Sequence, residues 1–279
     1  MTTARSRSLG SEVRNLRKDA GLRLEELAEQ CGWSRATLGR VEAGNKVPTE
    51  TEIAIILATL GVKGPERTRL LELCQNAHQP HWWEVGHSAV PEQLVALMEF
   101  ERTATKITDI ELALVPGLMQ TADYAREIFT AAGIHGAGLE SRVALRLGRQ
   151  AALTRREPVS FYAFIDESVL HRTIGDNVVM ADQLRHLIRV ARRDNVTVQV
   201  LPFAAGTHPG LFGSQMILEF HRQRPIVHME HRQSGVFLDD RSETSPFLDS
   251  LPTLEKEGMS PDDSLEFIAE RAGILEGAR

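Results

Sequence analysis

Cysteines, aromatic rings and long apolar runs are all scarce in this chain, and each scarcity removes a class of protein. Two cysteines, Cys31 and Cys74, among 279 residues do not make a disulfide framework, and a reducing compartment suits them. No stretch approaches the roughly 18 consecutive apolar residues of a membrane span, and residues 1–11 lack the apolar core of a secretory signal. A cytoplasmic protein without a membrane partner is therefore expected. Catalytic signatures are missing too: there is no G-x-S-x-G, no phosphate-cradling glycine loop, no G-x-G-x-x-G after a strand, and no H-E-x-x-H or C-x-x-C. The chain is expected to be no enzyme and to hold no cofactor and no metal. Internal repeats and low-complexity tracts are likewise absent.

What is present is an ordinary globular balance, 42% hydrophobic and 25% charged residues, in a length with room for about two domains. The formal net charge of −6 is unevenly spread. Residues 1–49 hold nine Lys/Arg against six Asp/Glu, a surplus of +3, which leaves −9 for the rest. A weakly basic head on an acidic body can present one face to phosphates while the body discourages indiscriminate binding.

That head divides into five short amphipathic runs, each closed by a glycine, proline or polar break. Residues 9–20 place Leu9, Val13, Leu16 and Ala20 on one face, and Gly21 ends the run. Residues 24–31 bury Leu24, Leu27, Ala28 and Cys31 and stop at Gly32. The third run opens on Ser34, a good N-cap, carries Leu38 and Val41 inward and ends at Gly44. Arg35, Ala36, Thr37 and Arg40 are left facing outward. The fourth run, 50–60, has Ile53, Ile56, Leu57 and Leu60 as its stripe, and the fifth covers 65–76. Two short helices joined by a tight glycine turn, the second presenting small, polar and basic side chains, match what the major groove admits.

Residues 21–49, GLRLEELAEQCGWSRATLGRVEAGNKVPT, resemble the phage-repressor-like, or Xre-type, helix-turn-helix through Leu27-Ala28, Gly32-Trp33-Ser34 and Glu42-Ala43-Gly44. The resemblance implies an ion pair between Arg17 and Glu42 that fixes the angle of the recognition helix. It implies a phosphate contact for Ser34, base contacts for Arg35, Ala36, Thr37 and Arg40, and backbone contacts for Asn45 and Lys46. Arg35 is the strongest candidate for reading sequence, because a guanidinium can pair both O6 and N7 of guanine, worth roughly 1–3 kcal/mol of discrimination. The usual Thr-Gln opening of the second helix is Arg23-Leu24 here, so Arg23 stands where a glutamine contact to the DNA backbone is customary.

The remainder mixes helix and strand signals. Helices are predicted over 91–105, 121–132, 139–155, 178–193, 242–257 and 261–275, and strands over 106–115, 159–165, 196–201, 214–220 and 225–230. The fold class that results is mainly α with α+β: a five-helix DNA-binding domain over 1–77, a joint over 78–90 and a mixed α+β domain over 91–279. Strings here, among them His81-Trp82-Trp83, Glu101-Arg102-Thr103-Ala104, Val115-Pro116-Gly117-Leu118-Met119-Gln120-Thr121, Tyr124-Ala125, Arg149-Gln150 and the later Glu230, resemble a group of actinobacterial Xre-type regulators whose C-terminal domain is of unknown function. That resemblance implies transcription regulation, often beside a small partner protein encoded by a neighbouring gene, and supplies no chemistry for the domain. Trp82, Trp83, Glu101, Gln120, Tyr124, Arg149 and Glu230 are the candidates for a ligand or partner site.

Together these readings describe a cytoplasmic, nucleoid-associated transcription factor. It grips a double-stranded DNA operator as a homodimer and answers to an effector that the sequence does not identify. Two rivals stand beside it. One is an antitoxin-like protein whose C-terminal domain binds the small partner while DNA binding autoregulates the operon. The other is a metal-dependent hydrolase built on His208, His221, His228, Glu230 and His231, in which His228 and Glu230 share a strand face.

Overall fold

The computed structural model describes residues 3–77, 82–85, 92–231 and 234–277, the side chains of 82–85, 92, 231 and 234 excepted. The joint expected over 78–90 lies largely outside the described residues. The chain forms two compact units, Met1–Trp83 with Phe237–Asp240 and Glu84–Val236 with Arg241–Arg279. The short segment 237–240 thus clusters with the N-terminal unit, although sequence reasoning placed it within 91–279.

The N-terminal unit holds five helices: α1 (Ala4–Asp19), α2 (Leu24–Gln30), α3 (Arg35–Glu42), α4 (Glu50–Thr59) and α5 (Gly64–Gln75). Helix α1 begins five residues before the predicted start at residue 9. Thr3 and Ser6 form a reciprocal capping box there, and such a box starts a helix ahead of its apolar stripe. A second box, Thr49 with Glu52, opens α4. The core gathers Leu9, Val13, Leu27, Ala28, Leu38, Val41, Ile53, Ile56, Leu57 and Leu70, all at most 1% exposed. Four residues predicted inside are not fully buried: Leu16, Leu24 and Leu60 are half-buried and Ala20 is exposed. Ala20 is the C-cap of α1, where the chain already turns away from the core. Cys31 and Cys74 are buried and unbridged, and burial pushes the Cys74 thiol up to about 11, so it stays protonated.

Helices α1 and α3 approach more closely than side chains allow. A Cβ added at Gly10 would overlap the Val41 carbonyl oxygen, and one at Gly44, where φ is +71°, would lie 2.6 Å from Arg7 Cα. Only glycine fits either position. Gly10→Ala is expected to cost about 1–3 kcal/mol, the usual penalty for overpacking, seen as a lower urea midpoint for the unfolding transition of the N-terminal unit with an unchanged slope. A midpoint equal to that of the wild type would show that α1 can slide away from α3.

The second unit contains α6 (Glu92–Thr103), β2 (Lys106–Glu111), α7 (Ala122–Ala131), α8 (Ala137–Arg149), β3 (Ser160–Asp166), α9 (Glu167–His171), α10 (Asn177–Ala191), β4 (Val196–Leu201), β5 (Gln215–Phe220), β6 (Gln223–His231), the first three residues of β7 (Ser234–Leu238), α11 (Arg241–Glu257) and α12 (Pro261–Gly277). With β1 (Trp82–Val85) outermost, the strand order is β1-β7-β6-β5-β2-β3-β4. Strand β2 pairs parallel with β3 and β3 with β4, whereas β5 joins β2 and β6 antiparallel. The mixed sheet follows from the connections: α9 and α10 carry the chain from β3 to β4, while a tight turn suffices between β5 and β6.

Several boundaries differ from those predicted. The 106–115 run leaves the sheet after Glu111 because the chain must reach Pro116, which opens a 3₁₀ turn at Gly117–Met119. The 139–155 helix is two pieces, α8 ending at Arg149 and a 3₁₀ turn at Gln150–Leu153. Helix α9, capped by the Asp166 side chain, and strands β1 and β7 were not foreseen; each is too short to show a period. No described helix is long and apolar enough to cross a membrane.

Candidate nucleic-acid interface and a polar cluster in the second unit

In the N-terminal unit the site is built from the bend between α2 and α3. Gly32 takes φ +70°, a left-handed conformation that side chains avoid, and the Trp33 N–H closes the turn on the Ala28 carbonyl at 2.8 Å. Ser34 then caps α3, its Oγ accepting from the Thr37 N–H at 3.1 Å and lying 3.0 Å from Thr37 Oγ1. With Leu38 and Val41 buried beneath, α3 turns Arg35, Ala36 and Arg40 to solvent and leaves Thr37 half-exposed. Free N–H groups at the start of this exposed helix suit an anionic partner.

The orientation of α3 is set by a buried ion pair. Arg17 on α1 donates through Nε and Nη2 to the two carboxylate oxygens of Glu42, at 2.6 and 2.8 Å, and through Nη1 to the Leu22 carbonyl at 2.8 Å. One guanidinium thereby ties α1, the turn before α2 and the end of α3. Arg14, which sequence reasoning missed, adds a 2.7 Å bond from Nη2 to the Glu42 carbonyl. Its signal was spacing: Arg14 and Arg17 are three apart and share a helix face.

The other candidate contacts are dispersed along the surface. Arg35 Nε is 2.6 Å from Glu25 Oε1 on α2, with side chains 71% and 55% exposed. Arg23 does not reach out alone: it is paired with Glu26 at 2.6 Å. Asn45 is exposed. Lys46 bonds Glu52 at 2.6 Å and sits 5.0 Å above the Trp33 ring. Exposed pairs such as Arg35–Glu25 are worth about 0–1 kcal/mol, so a phosphate or base edge can displace Glu25.

The residues predicted for a ligand or partner site do not form one group. Gln120 and Tyr124 prop up the chain after β2: Gln120 Nε2 donates to the Val115 carbonyl at 2.7 Å and the Val115 N–H donates to the Tyr124 hydroxyl at 3.1 Å. Glu101 and Arg149 form a buried two-pronged pair at 2.7 and 2.9 Å. Trp82 and Trp83 lie in β1, and their side chains are outside the described residues.

Beside the Glu101–Arg149 pair stand residues not foreseen as a group. Cross-strand register puts Asp109, Met216 and His228 in one row, and alternation puts Glu111 and Glu230 on the same face two residues further along. Asp109 is 2% exposed and its Oδ2 has no hydrogen-bond partner. Burial, aided by the nearby Glu101 and Glu230 carboxylates and opposed by Arg149 and Arg146, pushes its carboxyl up to about 7. Burial and Asp109 likewise hold Glu111 well above the usual carboxylate range. Burial drives His228 down to about 4, leaving it neutral at pH 7. The signal in the sequence was a strand, KITDIE, in which acids replace apolar residues at alternate positions. His208 is elsewhere, 3.8 Å from Asp166, and His221 is exposed in the β5–β6 turn. Among the described residues no group of three or more His, Cys, Asp or Glu is placed to hold a metal ion.

A Ser34-capped helix with an exposed polar face, set across a shorter helix by a glycine turn, defines a helix-turn-helix DNA-binding protein. Residues 8–70 match the family model of a helix-turn-helix domain, and residues 94–270 match that of a domain of unknown function (DUF5753). The chain belongs to this DUF5753 family, with the DNA-binding unit at its N-terminal end. No curated protein matches it.

Two expected outcomes follow from these geometries. Glu42→Ala strands the Arg17 guanidinium in the core and is expected to destabilise the N-terminal unit by about 3–5 kcal/mol, whereas the Arg17→Met, Glu42→Leu double variant recovers most of that loss in urea unfolding. A double variant no more stable than Glu42→Ala would show that the pair acts otherwise. For Asp109 the folded carboxyl titrates above the unfolded one, so its contribution is intact below about pH 4 and lost as pH rises through about 7. Asp109→Asn is accordingly expected to be more stable than wild type by about 1–3 kcal/mol at pH 8, the advantage fading toward pH 4; a variant less stable at pH 8 would contradict the assignment.

Proposed function

We propose that this protein is a sequence-specific transcription regulator that lays α3 in the major groove, with Arg35 and Thr37 at base edges and Ser34 against a phosphate. The observation that carries the reading is the division of α3: Leu38, Val41 and Glu42 are held in the core while Arg35, Ala36 and Arg40 stand clear of it. Residues near the N-terminus of a recognition helix are those that reach bases. Asn45 and Lys46, just past the helix, then flank the backbone, and Arg23 lies at the start of α2, the helix that crosses it.

One reader of this size covers too few base pairs for tight discrimination, so the protein binds as a dimer on a two-fold site with half-sites about one helical turn or a multiple apart. The second unit supplies that pairing and the response to an effector. Its role is binding rather than catalysis.

Arg35→Ala is expected to cost about 1–3 kcal/mol on a duplex selected from a random pool and to relax one base position, while Lys46→Ala weakens all duplexes evenly and lowers the salt slope by about one. Binding isotherms at several salt concentrations measure both. Equal losses for Arg35→Ala on selected and random duplexes would overturn the base-reading role.

A further inference from the structure

We propose that the face of the second unit carrying Asp109, Glu111, His228 and Glu230 is a binding site for a small organic cation, one bearing a primary ammonium or guanidinium group. This names the ligand class for the effector-binding role given to that unit and rests on it.

Among the described residues the charges on this face do not balance. Glu101 and Arg149 satisfy each other through two short bonds. Arg146, the other guanidinium close by, gives Nη1 to Gln120 Oε1 at 3.0 Å and lies 5.1 Å over the Phe129 ring. Among the described residues, three further carboxyl groups, Asp109, Glu111 and Glu230, stand near that guanidinium, and of these Glu111 also bonds Ser214. A buried polar atom without a partner is rare because its desolvation goes uncompensated, and Asp109 Oδ2 is such an atom. In the free protein the surplus is relieved by keeping protons on Asp109 and Glu111. A ligand cation would do the same work and release those protons.

Exposure agrees with the charge. Asp109 is buried, Glu111 and Arg146 are half-buried, and Glu230 is exposed, so the carboxyl groups run from the interior to solvent. Met216 lies between Asp109 and His228 in the same row and gives the floor an adaptable apolar surface for the carbon chain of such a ligand. Neutral His228 adds no positive charge. The lack of a metal-ligand grouping among the described residues favours an organic cation, whose several N–H donors can divide among separate carboxyl oxygens.

Calorimetric titration of the full chain with agmatine, putrescine and butylammonium, against butyramide and butyrate as neutral and anionic controls, tests the proposal. At least one cation is expected to bind and neither control. The binding heat should change between buffers of different ionisation enthalpy, because protons leave Asp109 and Glu111. Asp109→Asn is expected to lower affinity at least about thirtyfold, the loss typical of removing one partner of a buried charge pair, with circular dichroism showing it folded. Glu230→Gln, an exposed change that leaves folding untouched, should weaken binding severalfold and decides the matter if Asp109→Asn does not fold. No binding by any of the three cations at millimolar concentration, binding without proton release, or binding indifferent to both substitutions would overturn it. The titration contains no DNA, so its failure leaves the DNA-binding reading standing.

Discussion

The ion pair between Arg17 and Glu42 is the constraint on which the DNA-facing surface depends. Its oxygens and nitrogens meet at 2.6 and 2.8 Å inside the core, and the third bond of Arg17 reaches the chain just before α2. A buried pair of this kind adds little net stability over apolar residues of the same volume. What it gives is direction: the carboxylate has one place where its charge is satisfied, so α3 has one angle relative to α1. The close passage of α1 over α3 at Gly10 and Gly44 removes the remaining freedom, because helices in backbone contact cannot slide without collision. The outward face of α3 is therefore preorganised before any duplex arrives, and association need not order it.

The two units use buried charge in opposite ways. In the first, the Arg17 guanidinium and the Glu42 carboxylate, taken from water at the α1–α3 crossing, meet at hydrogen-bond distance. In the second, the row through Asp109 and the row through Glu111 collect more carboxyl groups than guanidiniums, and the protein holds protons there to compensate. The ion pair beneath α3 is satisfied within the protein, whereas Asp109 Oδ2 in the second unit has no hydrogen-bond partner.

Much of this was legible from the amino-acid sequence, unevenly. The five helices of the first unit could be read because glycines at 21, 32 and 44 and the capping residue Ser34 punctuate strong apolar stripes. The start of α1 was missed because Thr3 and Ser6 act through side-chain hydrogen bonds, which leave no apolar period. In the second unit the longer helices and the central strands were legible, while α9, β1 and β7 were not, since four or five residues carry no period. The pairing of Glu101 with Arg149, 48 positions apart, is made between two helices, α6 and α8, and the gathering of Asp109 and Glu111 on β2 with His228 on β6 is a product of sheet register. Periodicity gives a strand its two faces but not its neighbours, so no local pattern could assemble that cluster. The Glu25 partner of Arg35 was hidden for a similar reason: it belongs to the crossing of two helices.

The central claim is that α3 is the element that reads base sequence. The most direct measurement is a crystal structure of the full chain on a duplex chosen by selection from random sequence. The account predicts α3 in the major groove, the Arg35 guanidinium turned from Glu25 onto a guanine, and the Arg17–Glu42 bonds unchanged. A duplex seated on any other surface, with Arg35 still held by Glu25, would contradict it.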